Sequence, residues 1–234
     1  MKKIIFQIIL FGVIFTIAGC TGINDKHDMY LKAGEINYIG RADSAKFLAG
    51  NQRFKLRYWI TDPRAKVMNI YWSQKKDSVV VAIPTHRPLD AIDLIIGDAQ
   101  KIIAENNYTI QLLSTDGGKL SSIVYEKIGN VYGPKYQSSL NNRLYTLVKY
   151  TIVGSIVTIN WAGITSDKEI GLEISYFGQD NTPVKTKLAT ASLGAQTILS
   201  NVNKAMGITY RTMFLPEPLA IDTFYTISKT VVIP

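Results

Sequence analysis

The chain has few side chains that could carry out hydrolysis or group transfer. It contains one cysteine, Cys20, and two histidines, His27 and His86. His27 lies in a polar segment and His86 in the turn THRPLD, and neither has a second histidine at the spacing of metal ligands. Because catalysis by a nucleophile or a base needs both groups held together, the sequence predicts no catalytic residues, no metal site and no cofactor. We expect both histidines in surface loops.

Paired carboxylates offer another route to catalysis, since a glycosidase needs only two acids about 5–10 Å apart. Asp90 and Asp93 form one pair in PLDAIDLI, and Asp167 and Glu169 form another in TSDKEI. Both pairs fall at the ends of predicted strands, where acidic side chains are commonly solvated. Asp90, Asp93 and Asp98 could offer oxygen ligands to calcium, but their spacing does not match a calcium-binding loop. We therefore expect the protein not to be an enzyme.

The single cysteine points to membrane attachment. Lys2 and Lys3 precede an apolar run over residues 4–18, which is followed by Gly19 and Cys20. This is the pattern of a secretory signal, and a run of about 15 residues is short for a membrane-spanning helix, which needs roughly 20. A cysteine directly after small residues resembles the bacterial lipoprotein box, in which the sulfur accepts lipid. The alternative is a plain signal peptide that happens to end in a cysteine.

We predict a cleaved signal peptide at residues 1–19, lipid attachment at Cys20 and an anchor tether over residues 20–28. The protein is expected to be exported and anchored by lipid in the outer membrane of a Gram-negative bacterium, where it could be exposed on the cell surface. A chain without a second cysteine cannot form an internal disulfide. The mature fold must therefore be held together by packing.

The positive net charge is spread along the chain. The sequence has 26 lysines and arginines and 18 aspartates and glutamates, for a formal net charge of +8. It contains no dense basic cluster of the kind that marks a nucleic-acid-binding surface. We therefore expect no nucleic-acid partner, and at most a general attraction to anionic surfaces or polysaccharides.

The rest of the chain is patterned as β-strands. In RFKLRYWI the residues Phe54, Leu56 and Tyr58 share one face, and the basic residues share the other face with Trp59. This alternation is typical of a half-buried strand. The segments KVMNIYW and DSVVVAIP are further strand candidates, and a hairpin turn is predicted at 116–118 because Asp-Gly adopts positive φ easily.

The strand pattern recurs about 100 residues later, which indicates an internal repeat. Three aromatic residues of the first copy match three of the second: Tyr58 with Trp161, Trp72 with Tyr176, and Tyr108 with Tyr210. We predict an all-β protein of two tandem fibronectin type III-like or immunoglobulin-like β-sandwiches. Domain 1 is predicted at 29–128, a linker at 129–133, where GNVYGPKY interrupts the pattern, and domain 2 at 134–234.

Three longer stretches resemble a known protein family. They are MYLKAGEINYIGRADS, IGNVYGPKYQSSLNNR and YRTMFLPEPLAIDTFYT, and they are similar to a domain-of-unknown-function family of Bacteroidetes cell-envelope lipoproteins with fibronectin type III-like modules. The resemblance covers essentially the whole mature chain and implies a role in the cell envelope, often in glycan capture. Some members carry an additional C-terminal module, whereas this chain stops at Pro234. A carbohydrate-binding role of such a module therefore does not carry over.

Aromatic side chains outside the predicted cores are the candidates for ligand binding. Trp59 shares a face with Lys55 and Arg57, and Tyr71 and Phe177 are out of register with their inward neighbours. An exposed ring can stack on a sugar or bury against a protein, although single exposed aromatic residues are normal on protein surfaces. We predict Trp59, Tyr71 and Phe177 as candidate ligand-binding residues.

Two functions remain open from the sequence. The first is a non-catalytic cell-envelope lipoprotein that serves as a binding or accessory module for glycan capture, with a polysaccharide as partner. The second is a structural spacer or an assembly module that contacts another envelope protein. A cluster of exposed rings would favour the first function, whereas a broad apolar patch at a sheet edge or a domain end would favour the second.

Overall fold

The computed structural model describes residues 38–118, 120–190 and 194–234. The predicted signal peptide, Cys20, His27, the tether and the first residues of predicted domain 1 lie outside the described residues. Strands dominate the described ranges, which contain one short α-helix, α1 (Pro134–Ser139), and one 3-10 helix (Lys204–Met206). The expected all-β class is confirmed.

Seven strands form the first sandwich: β1 (Ser44–Ala49), β2 (Phe54–Trp59), β3 (Val67–Trp72), β4 (Asp77–Ala82), β5 (Ile92–Ile96), β6 (Asn106–Thr115) and β7 (Tyr125–Val131). They make a three-stranded sheet in the order β1-β2-β5 and a four-stranded sheet in the order β4-β3-β6-β7. Every neighbouring pair is antiparallel.

The second sandwich repeats this arrangement with β8 (Tyr145–Thr151), β9 (Ile156–Trp161), β10 (Glu169–Phe177), β11 (Pro183–Ala189), β12 (Gln196–Leu199), β13 (Ile208–Phe214), β14 (Phe224–Tyr225) and β15 (Lys229–Val231). One sheet has the order β12-β9-β8. In the other, the order is β11-β10-β13, and both β14 and β15 pair with β13. Since the strand order of the first sandwich recurs, the fold is two tandem β-sandwiches of the fibronectin type III-like kind, as predicted.

Each sandwich has its own hydrophobic core, built from the inward residues of its two sheets. The aromatic residues predicted to be buried are found there, namely Tyr58, Trp72, Tyr108, Trp161 and Tyr210. Tyr176 is only half-buried and packs against the core of the second sandwich. Burial disfavours the ionised phenol, and it raises the pKa of Tyr58 to about 12.

The two matched tyrosines are buried at similar positions but make different contacts. Tyr108 lies near the start of β6 and donates its hydroxyl hydrogen bond to the Ala104 carbonyl, four residues upstream, at 2.9 Å. This is the arrangement of a tyrosine corner. Tyr210 instead donates to the Arg143 carbonyl at 2.7 Å. Tyr210 therefore holds the segment that leads into β8, the first strand of domain 2.

The predicted linker begins too early, because β7 continues through Gly129 to Val131. Gly129 is paired with Tyr108 on β6, and a Cβ atom placed on it would lie 2.1 Å from the Phe47 ring. The glycine therefore does not end the strand. It allows β1 to pack closely against β7, and the chain leaves the sheet only after Val131.

A loop of domain 2 contacts the end of domain 1. This junction loop, residues 215–223, lies between β13 and β14, and its Ile221 amide donates to the Ala49 carbonyl at 2.7 Å. The Arg53 guanidinium donates to both carboxylate oxygens of Asp222, at 2.9 and 2.5 Å, and the Asn51 amide donates to Asp222 at 2.9 Å. These hydrogen bonds hold the two sandwiches together.

Aromatic rings reinforce the junction. Tyr136 contacts Tyr132 and Phe224, with ring centroids 4.8 and 5.0 Å away. The Tyr132 hydroxyl donates to Glu217 of the junction loop at 3.0 Å, and burial is the main cause that raises the pKa of Tyr132 to about 12. The two amides at the start of α1 donate to Glu105 of domain 1. These contacts therefore join domain 1, the connecting segment and domain 2 to one another.

Candidate functional site

A groove lies beside Tyr71 at the end of the four-stranded sheet of domain 1. It has a volume of about 640 Å³ and lies between the β3–β4 turn and the first residues of β6. The lining residues are Tyr71, Trp72, Ser73, Gln74, Lys75, Lys76, Asn106, Asn107, Tyr108, Thr109 and Gln111. One predicted ligand-binding residue is therefore part of a groove whose lining is rich in amides and hydroxyls.

The β3–β4 turn has an unusual backbone. Ser73, Gln74 and Lys75 have φ angles of 51°, 57° and 66°, the left-handed region that costs an L-residue about 1–2 kcal/mol. The Lys76 amide closes the turn with a hydrogen bond to the Ser73 carbonyl at 3.2 Å. Strained backbone of this kind occurs preferentially at ligand-binding segments. The turn forms one wall of the Tyr71 groove.

The floor of the groove is the outer face of the sheet. Tyr71 is half-buried on β3 and lies between Ser78 on β4 and Gln111 on β6. The Gln111 side-chain amide donates to Glu126 at 2.7 Å, and this contact fixes its orientation. Its Oε1 atom is buried and has no hydrogen-bond partner among the described residues. A buried acceptor left unpaired costs about 1–3 kcal/mol, so this oxygen would gain from a ligand hydroxyl.

Trp59 lies on another face of domain 1, the outer face of the β1-β2-β5 sheet. Its ring is half-buried, and the Lys46 ammonium lies 5.8 Å from the ring centroid. Arg57, on the same face, donates two hydrogen bonds to Asp93, at 2.6 and 2.7 Å. Trp59 therefore points to the polar side, as the alternation predicted, and a cation of the chain already lies near its ring.

Phe177 lies in domain 2, at the end of β10 and opposite Pro183 on β11. It is half-buried, and its carbonyl accepts a hydrogen bond from the Asn203 amide at 2.8 Å. The structure thus places Trp59, Tyr71 and Phe177 on three separate surfaces and does not bring them together. By the match of Trp72 with Tyr176, the counterpart of Tyr71 in domain 2 is Ser175, so that domain has no ring at the equivalent position.

The predicted solvation of the acid pair Asp167 and Glu169 is wrong for one member. The Asp167 side chain is 83% exposed, whereas that of Glu169 is 1% exposed and lies 3.3 Å from the Arg143 guanidinium. Burial raises the pKa of Glu169, and Arg143 partly opposes this shift. Glu169 can be buried because it pairs with Arg143, which is also buried and lies 26 residues earlier in the chain. The two acids therefore occupy different environments.

The pair Asp90 and Asp93 is also divided. Asp90 accepts hydrogen bonds from the backbone amide and the guanidinium of Arg87, and these contacts lower the pKa of Asp90. Asp93 accepts from Arg57, whose hydrogen bonds lower the pKa of Asp93. Each carboxylate is held by its own arginine. In the part of the chain that the structure describes, no group of three His, Cys, Asp or Glu residues could hold a metal ion.

His86 lies in the loop between β4 and β5, where the sequence predicted it. Its Nδ1 atom is 2.7 Å from the Pro84 carbonyl and its Nε2 atom is 2.7 Å from the Ile60 carbonyl. These two acceptors favour a protonated ring and raise the pKa of His86. His86 therefore connects two loops of domain 1.

Among the described residues, no helix has the length and apolar character needed to cross a membrane.

The described residues thus form two tandem β-sandwiches, and the first of them carries a groove lined by amides and hydroxyls. A family model for DUF4998, a domain of unknown function, matches residues 20–224, and the chain belongs to this family. No match was found among proteins of curated function.

Two solved structures with fibronectin type III domains are similar to this chain. The chicken CNTN1 FN1–FN3 domains are 9% identical with a TM-score of 0.45, and the alignment covers 83% of this chain and 67% of that chain. A segment of two fibronectin type III domains from chicken tenascin is 14% identical with a TM-score of 0.30, and the alignment covers 82% of this chain and 98% of that chain.

Proposed function

We propose that the protein is a non-catalytic glycan-binding module of the cell envelope and that its ligand binds in the Tyr71 groove. The observation that carries this proposal is the lining of the groove, where a half-buried tyrosine ring adjoins an unpaired amide oxygen of Gln111. A sugar ring offers an apolar face for stacking and hydroxyl groups for hydrogen bonding. The Tyr71 ring offers the first kind of contact, and the polar side chains of the lining offer the second.

The amides and hydroxyls of the lining set the specificity. Gln74, Asn107 and Thr109 carry donors and acceptors that can pair with sugar hydroxyls. Gln111 Oε1 is covered, so to accept from a ligand the amide must turn outward and give up its hydrogen bond to Glu126. Because Trp72 and Tyr108 of the lining are buried in the core, only the Tyr71 ring is left for stacking, and binding at a single groove is expected to be weak. Display of many copies on a membrane would raise the avidity.

Attachment through lipid on Cys20 and location in the outer membrane belong to the same proposal. They are supported by the signal-like segment before Cys20 and by the family match, which begins at residue 20. A bacterial lipoprotein with its groove beyond the tether would present the groove to glycans outside the membrane. The Bacteroidetes origin implied by the sequence resemblance fits this role.

A second candidate function is a rigid spacer in an envelope complex. The specific observation that favours it is the junction between the domains, where the junction loop makes hydrogen bonds and aromatic contacts with domain 1. A spacer needs such a fixed joint, and it needs no groove. The two functions are compatible in one molecule, but only glycan binding requires Tyr71.

The test is retention of the purified protein on a panel of polysaccharides, with wild type compared to Tyr71→Ala. We expect this change to reduce retention about tenfold, the effect of losing 1.4 kcal/mol of binding free energy. Tyr150→Ala is the matched control, because it removes another half-buried tyrosine ring near a strand end in the other domain. Thermal melting of each variant checks that the fold is kept.

Equal retention of wild type and Tyr71→Ala, with equal melting, would remove the groove from the proposal. Loss of retention in Trp59→Ala alone would move the binding site to the outer face of the β1-β2-β5 sheet. Turnover of a polysaccharide by the purified protein would overturn the non-catalytic function. Absence of retention on every polymer would leave the spacer as the better supported function.

A further inference from the structure

The charged side chains of the Tyr71 groove all have the same sign. Among the lining residues only Lys75 and Lys76 carry a charge, and both are exposed at the β3–β4 turn. No carboxylate of a described residue contributes to the lining. A neutral ligand would need no such bias, whereas an anionic ligand would be attracted by it.

These two lysines keep their charge available. Neither forms a salt bridge with a described residue, in contrast to Lys185 and Lys187, whose ammonium groups lie 3.0 and 3.8 Å from the carboxylate of Glu173 in domain 2. Arg211 also donates to Glu173, at 2.7 Å. In that second cluster three cations share one carboxylate, whereas the two lysines of the groove have no carboxylate partner among the described residues.

The nearest acids do not cancel the charge of the groove. Glu126 accepts the hydrogen bond from Gln111 and lies one strand further from Tyr71. Asp77 follows the turn but is paired in register with the buried residue Trp72, so it lies on the side of the core. On that side there is also one cation, Lys101, whose ammonium lies 5.4 Å from the Trp72 ring, so the core side contributes one acid and one base to the surroundings of the groove. Positive charge therefore predominates around the groove.

The turn fixes where the two lysines begin. Ser73, Gln74 and Lys75 are held in left-handed backbone conformations, and this turn places Lys75 and Lys76 in the lining of the groove that also contains Tyr71. A sugar that stacks on this ring would place its substituents beside two ammonium groups. We infer that the glycan bound in this groove is acidic and carries carboxylate or sulfate groups, an inference that rests on the proposed function.

Two pairs of polymers test the inference, each pair sharing one backbone. Polygalacturonate is compared with its fully methyl-esterified form, and dextran sulfate is compared with dextran. We expect the purified protein to be retained on at least one charged polymer and not on its neutral counterpart. The pair that shows the difference identifies the anion as carboxylate or sulfate.

Variants separate the groove from general attraction to a basic protein. We expect the double variant Lys75→Gln/Lys76→Gln to lose about fivefold in retention on the charged polymer, the scale of two exposed ion pairs. The control is Lys149→Gln/Lys229→Gln, which removes the same charge from two exposed lysines of domain 2. Retention of the control should equal that of wild type. Tyr71→Ala should also reduce retention on the charged polymer.

An equal loss in both double variants would overturn the inference, because it would show attraction to net charge rather than to the groove. Equal retention on the charged and neutral members of both pairs, with a loss in Tyr71→Ala, would also overturn it while the proposed function stands. If Tyr71→Ala matches wild type on every polymer, the proposed function fails together with the inference.

Discussion

At the scale of single residues, Trp161 shows how one side chain can hold together both sheets of domain 2. It lies on β9 and is 5% exposed. Its ring contacts the ring of Tyr210 on β13, with centroids 5.0 Å apart. Its Nε1–H donates to the Thr197 hydroxyl on β12 at 2.8 Å. Both the apolar ring and the polar nitrogen are therefore satisfied, as a buried tryptophan requires.

Trp161→Ala is expected to lower the free energy of unfolding of domain 2 by about 3–5 kcal/mol, the usual cost of truncating a large buried aromatic residue. This is a large share of the stability of one domain. Denaturant titration followed by tyrosine fluorescence and circular dichroism would measure it. The control is Ile164→Ala, which truncates an exposed residue in the loop after β9. Equal midpoints for Trp161→Ala and wild type would contradict the burial.

His86 gives domain 1 a dependence on pH. Both ring nitrogens face carbonyl oxygens, and only the protonated ring can donate to both. The pKa of His86 is raised in the folded protein, so its contribution to stability is complete below the unfolded pKa of about 6.5 and is lost as pH rises through the folded value. We expect the melting temperature of domain 1 to fall as the pH rises from about 6.5 through the folded pKa of His86. In His86→Ala this part of the pH dependence should be absent, and its persistence would refute the assignment.

At the scale of secondary-structure elements, the contact between β1 and β7 depends on the absence of one side chain. Phe47 of β1 stacks on Phe54 with ring centroids 4.5 Å apart and covers Gly129 of β7. The aromatic ring occupies the space that a Cβ atom at residue 129 would need. The two sheets of domain 1 are therefore closed along this edge by a glycine and a phenylalanine.

Gly129→Ala is expected to destabilise domain 1 by about 1–3 kcal/mol, the range for overpacking a tight contact. The added methyl group would force the ring of Phe47 to move. Thermal and denaturant unfolding would measure the loss, and Gly163→Ala serves as control, because a Cβ atom there would meet nothing within 4 Å. Alanine at residue 129 should lower the free energy of unfolding less in a protein that carries Phe47→Leu than in one that keeps Phe47. If Gly129→Ala unfolds at the same midpoint as wild type, the contact between residue 129 and Phe47 is looser than the structure indicates.

Side-chain alternation is enough to predict the strands, because each sheet has one face toward a core. The burial of Tyr58, Trp161 and Tyr210 follows from this pattern. The burial of Glu169 does not, because it depends on Arg143 in a different segment of the chain. A glycine in a sequence can mark either the end of a strand or a close packing contact. The sequence pattern predicts a break at Gly129, whereas the structure has a packing contact there.

The groove is only partly predictable. Tyr71 stands out because it is out of register with Ile70 and Trp72, but the turn that forms the groove wall gives no signal. Left-handed turns usually contain glycine or asparagine, and this one is formed by Ser73, Gln74 and Lys75. The junction loop is equally hidden, since its contacts join residues about 170 positions apart.

At the scale of the whole molecule, Asp222 contributes an ion pair to the joint between the domains. Its carboxylate accepts hydrogen bonds from the Arg53 guanidinium and from the Asn51 amide, and the hydrogen bond with Arg53 is the main cause that lowers the pKa of Asp222. Removing this carboxylate would leave the packing of each core unchanged. The joint can therefore be loosened without unfolding either domain.

Asp222→Ala is expected to widen the distribution of distances between spin labels placed on the two domains and to speed proteolysis near residues 132–134. The melting of each domain should change little, since the hydrogen bonds that the Asp222 carboxylate accepts lie outside both cores. Asp180→Ala, which removes an exposed carboxylate from the turn between β10 and β11 of the same domain, is the control. An unchanged distance distribution in Asp222→Ala would show that the aromatic contacts alone hold the joint.

The proposed attachment to the membrane would be a property of the whole molecule and would depend on Cys20, which lies outside the described residues. We expect mass spectrometry of the membrane fraction to find Cys20 as the mature N-terminus, carrying two or three acyl chains, because one chain anchors only weakly. In Cys20→Ala the protein should leave the membrane fraction with its fold intact. An unmodified Cys20 or an intact leader would contradict the prediction.

The position of the groove within domain 1 has an electrostatic consequence for a tethered protein. The chain enters domain 1 where β1 begins, and the groove lies at the other end of the sandwich, where β1 ends and β3 meets its turn. Strands of six residues at about 3.3 Å per residue separate the two ends by about 20 Å. The potential of an anionic membrane surface decays over about 8 Å in physiological salt. With the lipid on Cys20, the first sandwich would hold a polyanionic ligand beyond the reach of lipid head-group repulsion.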